Sequence, residues 1–96
     1  LDAEQKSVLD RSLKDGAEYA AGGYAEDAVY AYVDALRLDG SNGAARNGVK
    51  RAVGILKSRL QPAQYRSYLL AQQQEESNPA WLKAFFADEL AKLPAQ

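Results

Sequence analysis

The sequence predicts an all-α domain of antiparallel helical hairpins, about five helices in all, on three observations. Apolar and small residues recur at helical spacing along almost the whole chain. No stretch shows the sustained period-two alternation between turn pairs that marks strands. Glycine, proline and Ser/Asn breaks leave connections of only a few residues, which set consecutive helices antiparallel. Ninety-six residues make one domain, here 1–96. A chain of this size buries only roughly 60–65% of the surface it exposes when unfolded. Much of its 47% apolar content is alanine, so stability must come from closely approaching helices rather than from a thick core.

The first helix spans about residues 3–21, where Leu9, Leu13, Gly16 and Ala20 mark one stripe with Val8 and Tyr19 beside it. Gly22-Gly23 ends it, supplying the positive-φ freedom a tight turn needs. From Tyr24 to Leu38, Ala28, Val29, Tyr32, Ala35 and Leu36 fall on a single helical face. Gly40 suits a left-handed C-terminal position, and Ser41 or Asn42 suits the N-cap of the next helix. The third helix presents Ala45, Val49, Ala52, Val53, Leu56 and Leu60 inward, and Gln61-Pro62 ends it. A shorter fourth, about 63–74, carries Tyr65, Tyr68 and Leu69. After the polar break Glu75-Glu76-Ser77, Asn78-Pro79 reads as an N-cap with proline at the first helical position. Trp81, Leu82, Phe85, Phe86 and Leu90 then make the fifth helix the most hydrophobic, with Pro94 stopping it. Trp81, Phe85 and Phe86 read first as core residues; exposed, they would form a face able to dock in a partner's groove.

The net charge of −1 conceals a partition. Residues 1–42 carry nine acids and four bases, 43–74 carry six bases (Arg46, Lys50, Arg51, Lys57, Arg59, Arg66) and no acid, and 75–96 return to −2. A basic middle between acidic ends is either an internal electrostatic match between stacked helices or a patch for an acidic partner. It is weak as a nucleic-acid signal, because positive charge is not in excess overall and the aromatics sit elsewhere.

The small and aromatic residues Gly16, Tyr19, Gly23, Ala28, Tyr32 and Ala35 are spaced 3, 4, 5, 4 and 3 apart. Over residues 9–42 this resembles the tetratricopeptide repeat, a helix-turn-helix unit of ~34 residues. The resemblance implies a right-handed stack of hairpins in which Gly16 lies where helices cross, Tyr19 is wedged between them, Gly23 turns the chain, and Ala28, Tyr32 and Ala35 line the second helix. Ser12, Asp15, Ala25 and Gly40 depart from the family pattern. One repeat further on, Lys50, Val53, Lys57, Pro62, Arg66 and Leu69 occupy the matching places, so the second unit is degenerate. The implied organisation is a hairpin over 3–38, a degenerate hairpin over 43–74 and a capping helix over 79–93.

The chain has no His and no Cys. This removes the usual acid-base catalyst near neutral pH, the thiol nucleophile, the Ser-His arrangement and the common zinc ligand sets. Calcium-loop and phosphate-cradling glycine patterns are absent too. The expectation is therefore a non-catalytic domain that needs no cofactor or metal.

The resemblance implies a protein-binding module whose concave surface comes from the first helices of its units. Here that surface would draw Asp10, Leu13, Ala17, Ala20 and Ala21 from helix one and Asn47, Lys50 and Arg51, with Arg46, from helix three, apolar on one side and basic on the other. Some family members grip a C-terminal carboxylate with Lys and Asn on a first helix; Leu13 and Ala17 stand at those places, so that clamp is not expected. The expected partner is another protein with an acidic segment, and neither nucleic acid nor membrane is expected to be contacted by the domain itself. The alternative is a structural segment that homo-oligomerises through helix five or an open end of the stack. A start at Leu1 without Met, and an alanine- and glutamine-rich style, lead to the expectation of one domain of a longer bacterial protein. Small modules of this look occur in envelope lipoproteins that regulate peptidoglycan synthases and in secretion or pilus assembly factors. A periplasmic, outer-membrane-anchored setting is thus expected, with the cytoplasm as the alternative.

Overall fold

The computed structural model describes residues 1–94. It contains five helices: α1 (Ala3–Ala21), α2 (Ala25–Leu38), α3 (Gly43–Arg59), α4 (Pro62–Gln73) and α5 (Ala80–Ala91). The fold is all-α, as the periodicity predicts.

Caps and a turn glycine fix both ends of α1 and the start of α3. Asp2 and Gln5 form a reciprocal capping box at the start of α1, with Gln5 N–H donating to Asp2 Oδ1 at 2.7 Å and Asp2 N–H to Gln5 Oε1 at 3.1 Å. At its end Gly23 adopts φ 86°, the one left-handed residue among those described. There Tyr24 N–H returns to Tyr19 C=O at 2.8 Å. Asn42 caps α3 through Ala45 N–H at 2.9 Å.

Two local expectations are corrected. Gly40 is not left-handed; the α2–α3 turn is closed instead by Asp39, whose carboxylate accepts from Ser41 Oγ and Asn42 Nδ2, and by the Arg46 guanidinium on Gly40 C=O. Asn78 is not the N-cap of α5, a place taken by Pro79. Asn78 is buried, and its Nδ2 donates to Gln72 C=O at 2.9 Å, a second donor to that carbonyl beside the Glu75 N–H at 3.3 Å, so the side chain ties the α4–α5 turn to the end of α4.

α2 lies between α1 and α3 and packs along both, so it buries eight residues, more than one amphipathic stripe. At the centre is Tyr32. A Cβ on Gly16 of α1 would lie 2.7 Å from the Tyr32 ring, and one on Gly48 of α3 would lie closer still. The ring is thus held between two glycines on different helices. Tyr19, which the resemblance places in such a wedge, is 43% exposed; Tyr32 already fills the crossing that Gly16 opens.

α4 runs parallel to α2: Ala63, Gln64, Ser67 and Tyr68 lie by Glu26, and Ala71 and Gln72 lie by Tyr30, Val33 and Arg37. α5 returns antiparallel to α4, with Tyr65 Oη donating to Glu89 Oε1 at 3.4 Å and Arg66 Nη2 to Pro94 C=O at 2.6 Å. The expected hairpin over 43–74 is opened out. Leu60 and Gln61 are both extended (ψ 148° and 151°), which carries the chain away from α3 before Pro62 starts α4, and the two helices scarcely touch. The antiparallel neighbour of α4 is α5. Leu69, Leu82 and Phe86 are fully buried in this second layer, and burial of each such side chain contributes about 1.5–3 kcal/mol. The Cα envelope is a slab of 48 × 28 × 18 Å.

Candidate functional site

A helix turns about 100° per residue, so positions two apart face roughly opposite ways. On α3, Gly48 faces the Tyr32 ring, which turns Arg46 and Lys50 to the other flank. There both meet Trp81 of α5: the Arg46 guanidinium carbon lies 5.1 Å from the indole centroid and Lys50 Nζ 5.9 Å. Trp81 in turn stacks on Phe85, with centroids 5.4 Å apart and planes within 7°. Between Gly48 and this flank, Asn47, Lys50, Arg51, Gly54 and Lys57 form an exposed outward strip. Their spacing of i, i+3, i+4, i+7 and i+10 keeps them on one face.

The structure therefore divides six of the expected surface residues. Arg46 and Lys50 gather at Trp81, and Lys50 joins Asn47 and Arg51 on the outward strip. Leu13 is half-buried against the core, one turn before Gly16 on the side of α1 that meets Tyr32; Ala17 is exposed on α1. These two do not join the Trp81 cluster. Arg46 is occupied, since its Nε and Nη2 both donate to Gly40 C=O at 3.0 and 2.7 Å. Sequence reasoning passed over Gly54 and the outward aspect of Lys57, although the continuation of the Asn47-Lys50-Arg51 spacing would have found both.

Among the described residues the bases of α3 and α4 form no ion pair. The ion pairs among the described residues are Lys14–Glu18 at 4.0 Å, Arg37–Asp34 at 3.2 Å and Lys92–Glu89 at 2.7 Å, all between residues three or four apart on one helix. No ion pair among the described residues joins the basic middle to the acidic ends. Three of the six bases instead bind backbone carbonyls: Arg46 at Gly40, Arg59 at Gly23 (2.6 Å) and Arg66 at Pro94 (2.6 Å). Lys57 gains from the carbonyl end of the α3 dipole. Lys50 and Arg51, in mid-helix, face solvent with no carboxylate partner among the described residues.

Other chemistry sits in the second layer. Burial, with help from Glu89, pushes the Tyr65 hydroxyl up to about 12, and burial pushes Tyr68 up as well. Both phenols thus stay protonated at neutral pH, Tyr65 as a donor to Glu89. Hydrogen bonds from the Ser77 N–H and hydroxyl hold Glu75 below the usual carboxylate range. An open groove of about 550 Å³ between α2 and α4 is lined by Glu26, Leu60, Ala63, Gln64, Ser67 and Tyr68. Among the described residues no three carboxylates gather closely enough to hold a metal ion, and no helix is long and apolar enough to cross a membrane. Compared with protein-family models, curated proteins and solved structures, the chain matches none.

Proposed function

We propose that this domain is a non-catalytic protein-protein interaction module of the tetratricopeptide type, which binds an acidic segment of its partner along the outward face of α3. One observation carries the reading: Lys50 and Arg51 stand exposed on a rigid helix, without carboxylate partners among the described residues, in a segment that contains no acid. Exposed cations held in fixed geometry favour a complementary anionic surface and give binding that weakens with salt. The setting proposed with it is a longer bacterial envelope protein, either a lipoprotein that regulates a peptidoglycan synthase or an assembly factor for secretion or pili; it rests on the style of the sequence and the hairpin architecture alone.

The test is capture from bacterial lysate and envelope fractions on the immobilised domain, with Lys50→Glu/Arg51→Glu as control. The variant should keep its stability within about 0.5 kcal/mol, as surface changes do, and lose the captured protein. Equal capture by both would end the basic-face reading.

Self-assembly is a second reading. Tyr24 and Tyr30 are each 63% exposed and Leu70 41%, apolar surface that a second copy would cover. Light scattering decides it: a mass that stays monomeric across a wide concentration range rules it out.

A further inference from the structure

Apart from Gly43, which opens α3, the helices hold three glycines in their interiors, and two of these have an internal reason. Gly16 and Gly48 admit the Tyr32 ring, and any Cβ there would collide with it. Gly54 has none. It lies in the interior of α3, it is exposed, and a Cβ added to it would meet nothing within 4 Å. A glycine in mid-helix weakens the helix relative to alanine, so the fold gains nothing from this one. The open position sits among cations, with Lys50 and Arg51 one turn before it and Lys57 one turn after.

We propose that Gly54 is a contact seat, the notch at which an acidic helix of a partner protein crosses α3 at close range while Lys50, Arg51 and Lys57 take its carboxylates. This deepens the basic-face reading above and rests on it. Helices approach to about 8–10 Å between axes, the nearer distance where the residue at the crossing is small. Lysine and arginine have stems long enough to reach round a partner seated against the backbone. The indole of Trp81 lies beside Lys50 and backs one edge of the strip. The charge of the strip selects an acidic occupant, and the missing side chain selects one that comes flush against the helix.

The probe is a fluorescein-labelled helical peptide with glutamates at three- and four-residue spacing in an alanine-glutamine background, read by anisotropy at low and high salt. Phosphatidylglycerol vesicles are tested in parallel. The wild-type domain should bind the peptide in a salt-sensitive way, and Lys50→Glu/Arg51→Glu should abolish binding. Gly54→Ala should weaken it while raising Tm, and Gly54→Leu should weaken it by about tenfold or more through overpacking at the crossing. Undiminished binding by Gly54→Leu, with loss in the charge-reversed variant, overturns the seat and leaves the basic face standing. No peptide binding by the wild type, or equal binding by the charge-reversed variant, overturns both. Vesicle binding without peptide binding assigns the strip to a membrane surface and overturns the proposal.

Discussion

Replacing Gly48 by alanine should destabilise the domain, whereas the same replacement at Gly54, further along the same helix, should stabilise it. Both substitutions gain about 1 kcal/mol from helix propensity. At Gly54 that gain is unopposed, because nothing lies within 4 Å of the new methyl. At Gly48 the methyl meets the Tyr32 ring at 2.5 Å or less, and the ring cannot retreat toward α1, where it already fills the space above Gly16. Overpacking of this kind costs about 1–3 kcal/mol, and a ring held on both sides puts it at the upper end. The net is a loss of about 2 kcal/mol at Gly48 against a gain of about 1 kcal/mol at Gly54. For a domain of this size, 1 kcal/mol moves Tm by about 4–8 °C. Thermal and urea unfolding followed by far-UV circular dichroism separate the two variants clearly. A second measurement isolates the cause: in a Tyr32→Leu background, which vacates the ring, Gly48→Ala should lose most of its penalty, a coupling of about 1 kcal/mol or more between residues in contact. If Gly48→Ala proves as stable as Gly54→Ala, the ring is not clamped between α1 and α3, and the packing argument for the whole three-helix layer fails.

Two further outcomes follow from the second layer. Asn78→Ala should cost about 1–2 kcal/mol, because it removes the shorter of the hydrogen bonds to the Gln72 carbonyl and opens a hole at a buried site; unchanged urea unfolding would place that amide in solvent. Tyr65 has its ordinary value of 10.0 raised to about 12 in the folded state. Folded and unfolded chains therefore hold the same proton below pH 10, while above it only the unfolded chain releases it. The contribution of this group is complete below pH 10 and is lost as pH rises through about 12. Tyr65→Phe should flatten the alkaline fall in Tm, and an identical fall in both proteins would remove Tyr65 from the cause.

How much of this was legible in the sequence depends on the range of the interaction. The five helices were legible because their signals are local: the Gly22-Gly23 turn, Asn42 as a cap and Pro62 at a first turn each act within a few residues. The errors at Gly40 and Asn78 are local too, but they arise from side chains that found better partners, Asp39 and Arg46 at the turn and the Gln72 carbonyl at the end of α4. Gly16 was legible as a crossing point, while its counterpart Gly48 was not, because the Tyr32 ring that joins them belongs to a third helix. The opening of residues 43–74 was hidden for the same reason. An extended Leu60-Gln61 pair ends α3 as the proline rule requires, yet the direction taken afterwards depends on what α5 offers α4. For the site, sequence placed Lys50 and Arg51 on a surface, but it could not tell which bases the fold consumes.

That distinction supports a last prediction, which separates fold from surface among the six bases of the middle segment. Arg46, Arg59 and Arg66 each donate to a backbone carbonyl belonging to another element or turn, at Gly40, Gly23 and Pro94. The Gly23 bond ties the far end of α3 to the α1–α2 turn. A hydrogen bond from a charged donor contributes about 1.5–3 kcal/mol where water is excluded. These three are open to solvent, so about 0.5–1.5 kcal/mol each is the reasonable range after screening. Lys50, Arg51 and Lys57 have no hydrogen-bond partner among the described residues, and their replacement by alanine should stay within about 0.5 kcal/mol of the parent. Six alanine variants measured by chemical unfolding should therefore fall into two groups, and only Lys50, Arg51 and Lys57 should weaken capture of an acidic partner without weakening the fold. If Lys50→Ala and Arg51→Ala lose as much stability as Arg46→Ala and Arg59→Ala, the strip on α3 is spent on holding the domain together, and its charge is no argument for a partner.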